Sequence, residues 1–193
     1  NQAESNGHRW GKQIFFMGIA ILGIGLFWMQ KDHYKAYQQW NKAQMFYNNK
    51  AYEAALEVYE PLYPLLKHKP EFLFEAAQSL SKTGQYEKAN EYLERAVLLS
   101  SDPMLYYVMA KNEQCLGEYR QAEKHLLHAI DILPERIYPY YLLMNLYTEP
   151  SYFQPAKLKM AIDSVLTKKP KVESSAIKEM KEKARSMLNN TSI

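Results

Sequence analysis

The chain has 193 residues, with 24 basic and 21 acidic side chains and a formal net charge of +3. A charge balance this even gives no reason to expect a nucleic-acid partner, because such partners select clustered positive charge. The single cysteine, Cys115, excludes a disulfide framework within the chain.

The first predicted element is a transmembrane helix at 13–30, which follows a polar flank at 1–12. The uncharged run from Gln13 to Gln30 has 18 residues, and a helix of that length spans roughly 27 Å, close to the hydrocarbon core of a bilayer. We expect Ile14–Met29 to contact lipid. A signal peptide and a buried core helix are the competing interpretations, and basic residues on both flanks leave the orientation open. The chain begins with Asn1 rather than Met, which leads us to expect a fragment or a processed product.

The next elements are predicted from a repeated sequence motif, which we call the repeat phrase. Glycine, tyrosine, alanine, leucine and alanine recur at identical spacing 33 residues apart. The two copies are Gly84, Tyr86, Ala89, Leu93 and Ala96, and Gly117, Tyr119, Ala122, Leu126 and Ala129. A phrase repeated at a period near 34 predicts stacked helical hairpins rather than one globular fold.

The phrase resembles the tetratricopeptide repeat over about residues 36–170. The resemblance implies an all-α solenoid of about four helical hairpins, preceded by the transmembrane helix and closed by a C-terminal capping helix. We place the array at 34–170, with repeats at about 36–69, 70–102, 103–136 and 137–170, and the capping helix and tail at 171–193. The Met29–Tyr34 segment is too short for a flexible linker, so we expect the membrane helix to continue into the first repeat.

Two repeats depart from the pattern. In the first repeat, Lys50 stands where glycine is expected, and Pro61 and Pro64 predict a shortened or kinked second helix. In the fourth repeat, residues 149–152 replace the usual turn.

The resemblance also implies a concave face, lined by the first helix of each repeat, that binds a partner. Aromatic and amide side chains dominate this predicted face, and such groups suit a protein, a peptide or a glycan. The predicted partner-binding residues are Tyr37, Trp40, Asn41, Gln44, Tyr47, Phe74, Gln78, Tyr107, Lys111, Gln114, Tyr138, Tyr141 and Asn145. An alternative is that many of the tyrosines only pack between repeats.

Residues that could carry chemistry are few. His125 and His128 lie three positions apart on a predicted helix, without a third ligand at metal-binding spacing. Cys115 has no neighbour that would activate a thiol. We therefore expect no catalytic residues, no metal and no cofactor, and the leading hypothesis is a membrane-anchored interaction or scaffold module.

A second resemblance supports the alternative that this chain is part of a longer enzyme. Residues 136–147, followed by Glu149-Pro150 and Gln154-Pro155, resemble the repeat-bearing tails of certain membrane proteins. Those are O-antigen ligase or polymerase-like proteins of the Bacteroidetes type. That resemblance implies a catalytic part upstream, a last membrane span at 14–29 and a bacterial inner-membrane location. A soluble chaperone-like adaptor is the third hypothesis.

Overall fold

The computed structural model describes residues 2–170 and 172–190, except for the side chains of 2–14, 26–30 and 190. Within those residues the chain is all-helical, as predicted. The helices are α1 Gln2–Asn48, α2 Tyr52–Leu66, α3 Pro70–Lys82, α4 Tyr86–Val97, α5 Pro103–Cys115, α6 Tyr119–Ile132, α7 Tyr138–Leu146, α8 Pro155–Thr167 and α9 Ser175–Asn190, with a short 3-10 turn at Pro150–Tyr152.

The helices pack as four successive hairpins. The pairs α1 with α2, α3 with α4, α5 with α6, and α7 with α8 form the hairpins, and each second helix also packs on the first helix of the next hairpin. The first helices contact one another in the series α1, α3, α5, α7 and α9, which we call the first-helix layer. This is the predicted solenoid of helical hairpins.

The repeated phrase fills the contacts between the helices. Ala89, Leu93 and Ala96 of α4 are fully buried, and so are their counterparts Ala122, Leu126 and Ala129 of α6. Alanine at these positions lets two helix backbones approach closely, while leucine fills the space between the layers.

The turns inside the first three hairpins share one backbone conformation. Gly84 and Gly117 have φ of +82° and +77°, and Lys50 has φ of +61° at the equivalent place in the first hairpin. Glycine adopts this left-handed region without steric cost, whereas lysine does not. The first hairpin therefore keeps the turn geometry of the others without their residue.

The second helix of the first repeat is not shortened, so that part of the prediction is wrong, and the alternative of a kink stays a prediction. The helix α2 has 15 residues and continues through Pro61 and Pro64 to Leu66. Both prolines are exposed, so water can satisfy the backbone carbonyl groups that lose their N–H donors. In the fourth hairpin, the turn at Pro150–Tyr152 stands in the place of the missing glycine turn.

The N-terminal part of α1 is apolar and uncovered where its side chains are described. Among residues 15–25, seven large apolar side chains are more than half exposed, namely Phe15, Phe16, Met17, Ile19, Ile21, Leu22 and Ile24. Over the described part of the chain, no helix reaches the length and apolarity that crossing a membrane requires. The predicted span at 13–30 lies partly outside this part, since the side chains of 13, 14 and 26–30 are not described.

Candidate partner-binding face

The first-helix layer carries two rows of side chains that repeat once per hairpin. Trp40, Phe74, Tyr107 and Tyr141 form an aromatic row at spacings of 34, 33 and 34 residues. Four positions further on, Gln44, Gln78, Lys111 and Asn145 form a polar row with the same spacings. Residues four apart lie on the same face of a helix, so each first helix places one member of each row side by side.

The predicted partner-binding residues differ in their exposure. Only Tyr37, Asn41 and Lys111 are exposed, and Tyr107 is buried, with 4% of its surface accessible. The other predicted residues are half-buried, namely Trp40, Gln44, Tyr47, Phe74, Gln78, Gln114, Tyr138, Tyr141 and Asn145. The half-buried group therefore exposes edges rather than whole side chains.

In the N-terminal half of the layer, which α1 and α3 form, the polar side chains form hydrogen bonds with one another. The Glu75 carboxylate accepts hydrogen bonds from Trp40 Nε1 at 2.7 Å and from Gln44 Nε2 at 2.8 Å. The hydroxyl of Tyr59, a fully buried residue of α2, donates to the same carboxylate at 3.0 Å. Burial and the charge of Glu75 raise the pKa of Tyr59, so its hydroxyl stays protonated as a donor.

A second contact closes the same half of the layer. The hydroxyl of Tyr47 donates to Gln78 Oε1. Burial, together with the nearby Glu75 carboxylate, raises the pKa of Tyr47. The indole of Trp40 also meets the Phe72 ring edge to face, with centroids 5.7 Å apart. Polar side chains of the first two hairpins therefore use one another as hydrogen-bond partners.

The C-terminal half of the layer is arranged differently. Tyr138 meets the Tyr107 ring at a centroid distance of 5.2 Å and stacks with Tyr141 at 6.5 Å. The Lys111 ammonium lies 5.8 Å from the centre of the Tyr138 ring, and the Lys183 ammonium lies 5.4 Å from that of Tyr141. Two cations thus lie over a pair of half-buried tyrosines.

Two polar atoms in this half lack a partner within the described residues. They are the Tyr107 hydroxyl and Gln114 Nε2, both buried. Burial raises the pKa of Tyr107, while the nearby Arg136 opposes that change. An unsatisfied buried polar group costs about 1–3 kcal/mol, and among the described residues such side-chain atoms lie only in the C-terminal half of the layer.

Of the residues considered for chemistry, the two histidines have structural partners. His125 Nδ1 lies 2.9 Å from the buried Glu113 carboxylate, and the Tyr106 ring lies 4.7 Å from that of His128. Cys115 is the exposed last residue of α5. No group of three or more metal-binding side chains occurs among the residues that the structure describes.

A carboxylate between the last two hairpins also has a structural role. Glu123 of α6 accepts hydrogen bonds from Tyr147 at 2.6 Å, from Tyr152 at 2.7 Å and from Lys157 at 2.7 Å. Burial acts to raise its pKa, but the hydrogen bonds from Lys157 and the two tyrosines outweigh burial and lower it. Glu123 thereby joins α6 to α8 and to the unusual turn of the fourth hairpin.

Sequence reasoning missed Lys183 as a member of the face. Its ammonium donates to Asn145 Oδ1 at 2.8 Å, which brings α9 into the polar row. The Glu and Lys residues of 171–185 alternate in sign, a pattern typical of a solvated helix face. The signal that could have found Lys183 is the position of α9, which follows α7 in the first-helix layer.

The fold and its repeats define a helical-hairpin array of the tetratricopeptide type. A sequence profile for the family described as anaphase-promoting complex, cyclosome, subunit 3 matches residues 48–129, which is less than half of the chain. No curated protein matches the sequence.

Solved structures show the same fold. Residues 41 to the end of MamA from Desulfovibrio magneticus RS-1 align with a TM-score of 0.63 and 19% identity, covering 82% of this chain and 98% of that one. A second MamA structure aligns with a TM-score of 0.60 and 19% identity over 75% of this chain and 82% of the other. PcrH, in complex with the chaperone binding region of PopD, aligns at 0.50 and 16% identity over 66% and 90%. The chain therefore has a tetratricopeptide-repeat fold, and the resemblance to O-antigen ligase-like tails stays a prediction of the sequence.

Proposed function

We propose that this chain is a protein-interaction module, without catalysis of its own, that binds an extended segment of a partner along the first-helix layer. The observation that carries the proposal is the pair of rows, which places one aromatic and one polar side chain on each first helix, and every member except the buried Tyr107 is at least partly accessible. An extended chain presents its own side chains and amides at regular intervals, so a regular series of ring edges and polar groups suits it.

The structural relatives are consistent with such a partner. PcrH was crystallised with the chaperone binding region of PopD, so a protein of this fold binds a segment of another protein. The predicted glycan partner has no such parallel among these relatives, and we therefore propose a peptide segment.

We also propose that the N-terminal part of α1 holds the module at a membrane, with a bacterial inner membrane as the proposed location. The support is the series of uncovered apolar side chains at 15–25. Each of those isoleucine, leucine and phenylalanine residues favours a bilayer by about 0.3–0.6 kcal/mol. Because α1 is one helix from Gln2 to Asn48, such an anchor would lead directly into the first hairpin.

Selection from a displayed library of random peptides tests the interaction. The full chain, held in neutral detergent micelles, should enrich a set of related peptides. Replacing Tyr138 and Tyr141 by alanine should abolish the enrichment, because their half-buried rings belong to the face. The matched control is Leu127→Ala on α6, a side chain 46% exposed outside the first-helix layer, and it should enrich the same peptides.

Circular dichroism melting shows whether the Tyr138→Ala/Tyr141→Ala variant is folded. No enrichment by the folded wild-type chain, or equal enrichment by the folded double variant, would overturn the proposed function.

A further inference from the structure

The two halves of the first-helix layer differ in what they leave for a partner. In the N-terminal half, Gln44 donates to Glu75 and Gln78 accepts from Tyr47, so both members of the polar row are engaged within the fold. In the C-terminal half, Lys111 makes no ion pair among the described residues, and Lys183 donates to the neutral amide of Asn145. The two buried side-chain atoms that lack a hydrogen-bond partner among the described residues, the Tyr107 hydroxyl and Gln114 Nε2, also lie in this half.

Several hydrogen-bond donors in this half are available to a partner. Lys111 is exposed and its ammonium meets only the face of a tyrosine ring. Lys183 is exposed as well, and three N–H donors of an ammonium cannot all be satisfied by one amide oxygen. Gln114 adds a buried amide N–H without an acceptor among the described residues.

Neither ammonium forms an ion pair with a carboxylate of the described residues, and two carboxylates of α3 and α5 are already engaged. Glu113, next but one to Lys111 in α5, is 3% exposed and pairs with His125 of α6. Glu75 of α3 accepts three hydrogen bonds from its own neighbours. The positive charge of Lys111 and Lys183 is therefore available to an external acceptor.

We propose that the C-terminal half of the layer, made by α5, α7 and α9, binds an acidic peptide segment whose Asp or Glu carboxylates pair with Lys111 and Lys183. This inference rests on the proposed function and names its partner chemistry. A carboxylate accepts charge-assisted hydrogen bonds from an ammonium, and these are stronger than bonds between neutral groups. The rings of Tyr138 and Tyr141 supply the apolar surface between the two cations, while the closed N-terminal half acts as a rigid support.

The test uses two fluorescent pools of short peptides that are identical except that every Glu of one pool is Gln in the other. Binding to the full chain in neutral detergent micelles is followed by fluorescence anisotropy. The Glu pool should bind at least about tenfold more tightly than the Gln pool, a difference that corresponds to about 1.4 kcal/mol. Added salt should weaken the binding of the Glu pool, because these exposed cations are screened.

Charge reversal identifies the cations. The Lys111→Glu and Lys183→Glu variants should each bind the Glu pool at least about tenfold more weakly than the wild type does. The matched control is Lys124→Glu on α6, an exposed lysine outside the first-helix layer, which should bind the Glu pool as the wild type does. Equal affinity for the two pools, or unchanged binding by both charge-reversed variants, would overturn the acidic-peptide proposal.

The outcome also separates this inference from the proposed function. If the Gln pool binds as tightly as the Glu pool, and Tyr138→Ala/Tyr141→Ala abolishes both, the interaction function stands and the acidic specificity fails. If neither pool binds and the displayed library enriches nothing, both proposals fail. If the chain binds anionic vesicles more tightly than neutral ones, loses that difference in Lys111→Glu and Lys183→Glu, and does not bind the Glu pool, the peptide is overturned in favour of an anionic lipid surface.

Discussion

The indole of Trp40 donates a hydrogen bond to the Glu75 carboxylate, 35 residues later in the chain, at 2.7 Å. This contact joins α1 to α3, and the Tyr59 hydroxyl brings α2 to the same carboxylate. One acidic side chain therefore fastens three helices together at the place where the long α1 enters the array. The geometry leads to a prediction about the stability of the first hairpin.

Replacing Glu75 by alanine should destabilise the array. The fully buried Tyr59 hydroxyl would lose its acceptor, and an unsatisfied buried donor costs about 1–3 kcal/mol. Trp40 and Gln44 are half-buried, so water can replace part of the hydrogen bonding that they lose. Urea unfolding followed by circular dichroism measures the change. Glu57→Ala, at an exposed position of α2, is the control and should stay within about 0.5 kcal/mol of the wild type; an equal loss in both variants would contradict the account.

Replacing Lys50 by glycine should stabilise the first hairpin by about 1 kcal/mol, because a left-handed backbone is strained in any residue with a Cβ. Lys50 has φ of +61°. The reverse change, Gly84→Lys, should destabilise by a similar amount, and no atom lies close enough to its new Cβ to add a clash. Urea midpoints measure both changes.

Lys50→Ala separates the backbone effect from the loss of charge, since alanine keeps the strain. It should leave the urea midpoint near that of the wild type. Stabilisation by alanine equal to that by glycine would attribute the effect to the lysine side chain instead.

The Glu123 carboxylate should make stability depend on acid pH. Its pKa in the folded chain is lowered from the ordinary value of 4.5, so the unfolded chain binds its proton first as the pH falls. The stabilisation is therefore present above about pH 4.5 and is lost as the pH falls through the lower folded value. Glu123→Gln should be less stable than the wild type at neutral pH, and the difference should shrink below about pH 4.5 in thermal melts. The exposed Glu94→Gln is the control, and a difference for Glu123→Gln that does not change with pH would contradict the assignment.

The apolar part of α1 should bind the chain to lipid vesicles. In flotation with vesicles of neutral lipid, the full chain should rise with the lipid, and Ile21→Asp/Leu22→Asp should remain below. Those two side chains are 65% and 67% exposed, and each aspartate at a membrane centre costs about 2.5–3.5 kcal/mol. Met45→Asp, 57% exposed further along the same helix, is the control and should float. A wild-type chain that stays below the vesicles would remove the membrane proposal.

Local spacing predicted much of the fold, because the repeat phrase specifies contacts between neighbouring helices. The buried alanines and the turn glycines follow from that phrase alone. The left-handed Lys50 could not be inferred from its residue type, since packing of α1 against α2 holds the turn in place. The continuation of α2 through two prolines depends on their lying at the surface, which the first-repeat pattern did not reveal.

The candidate face was less predictable, because its properties depend on contacts between residues distant in sequence. The acceptor role of Glu75 depends on donors 16 to 35 residues away. Tyr107 belongs to the aromatic row but is buried among its neighbours, with its ring against that of Tyr138. Lys183 joins the face only because α9 packs beside α7.

Site-specific photo-crosslinking tests the central claim most directly. A photoreactive phenylalanine analogue at position 141 of the full chain should crosslink to the peptides enriched from the displayed library, because Tyr141 lies in the first-helix layer between the two cations. The same analogue at position 127, on the exposed surface of α6, should not. Crosslinking at 127 but not at 141 would contradict the claim that the first-helix layer binds the partner.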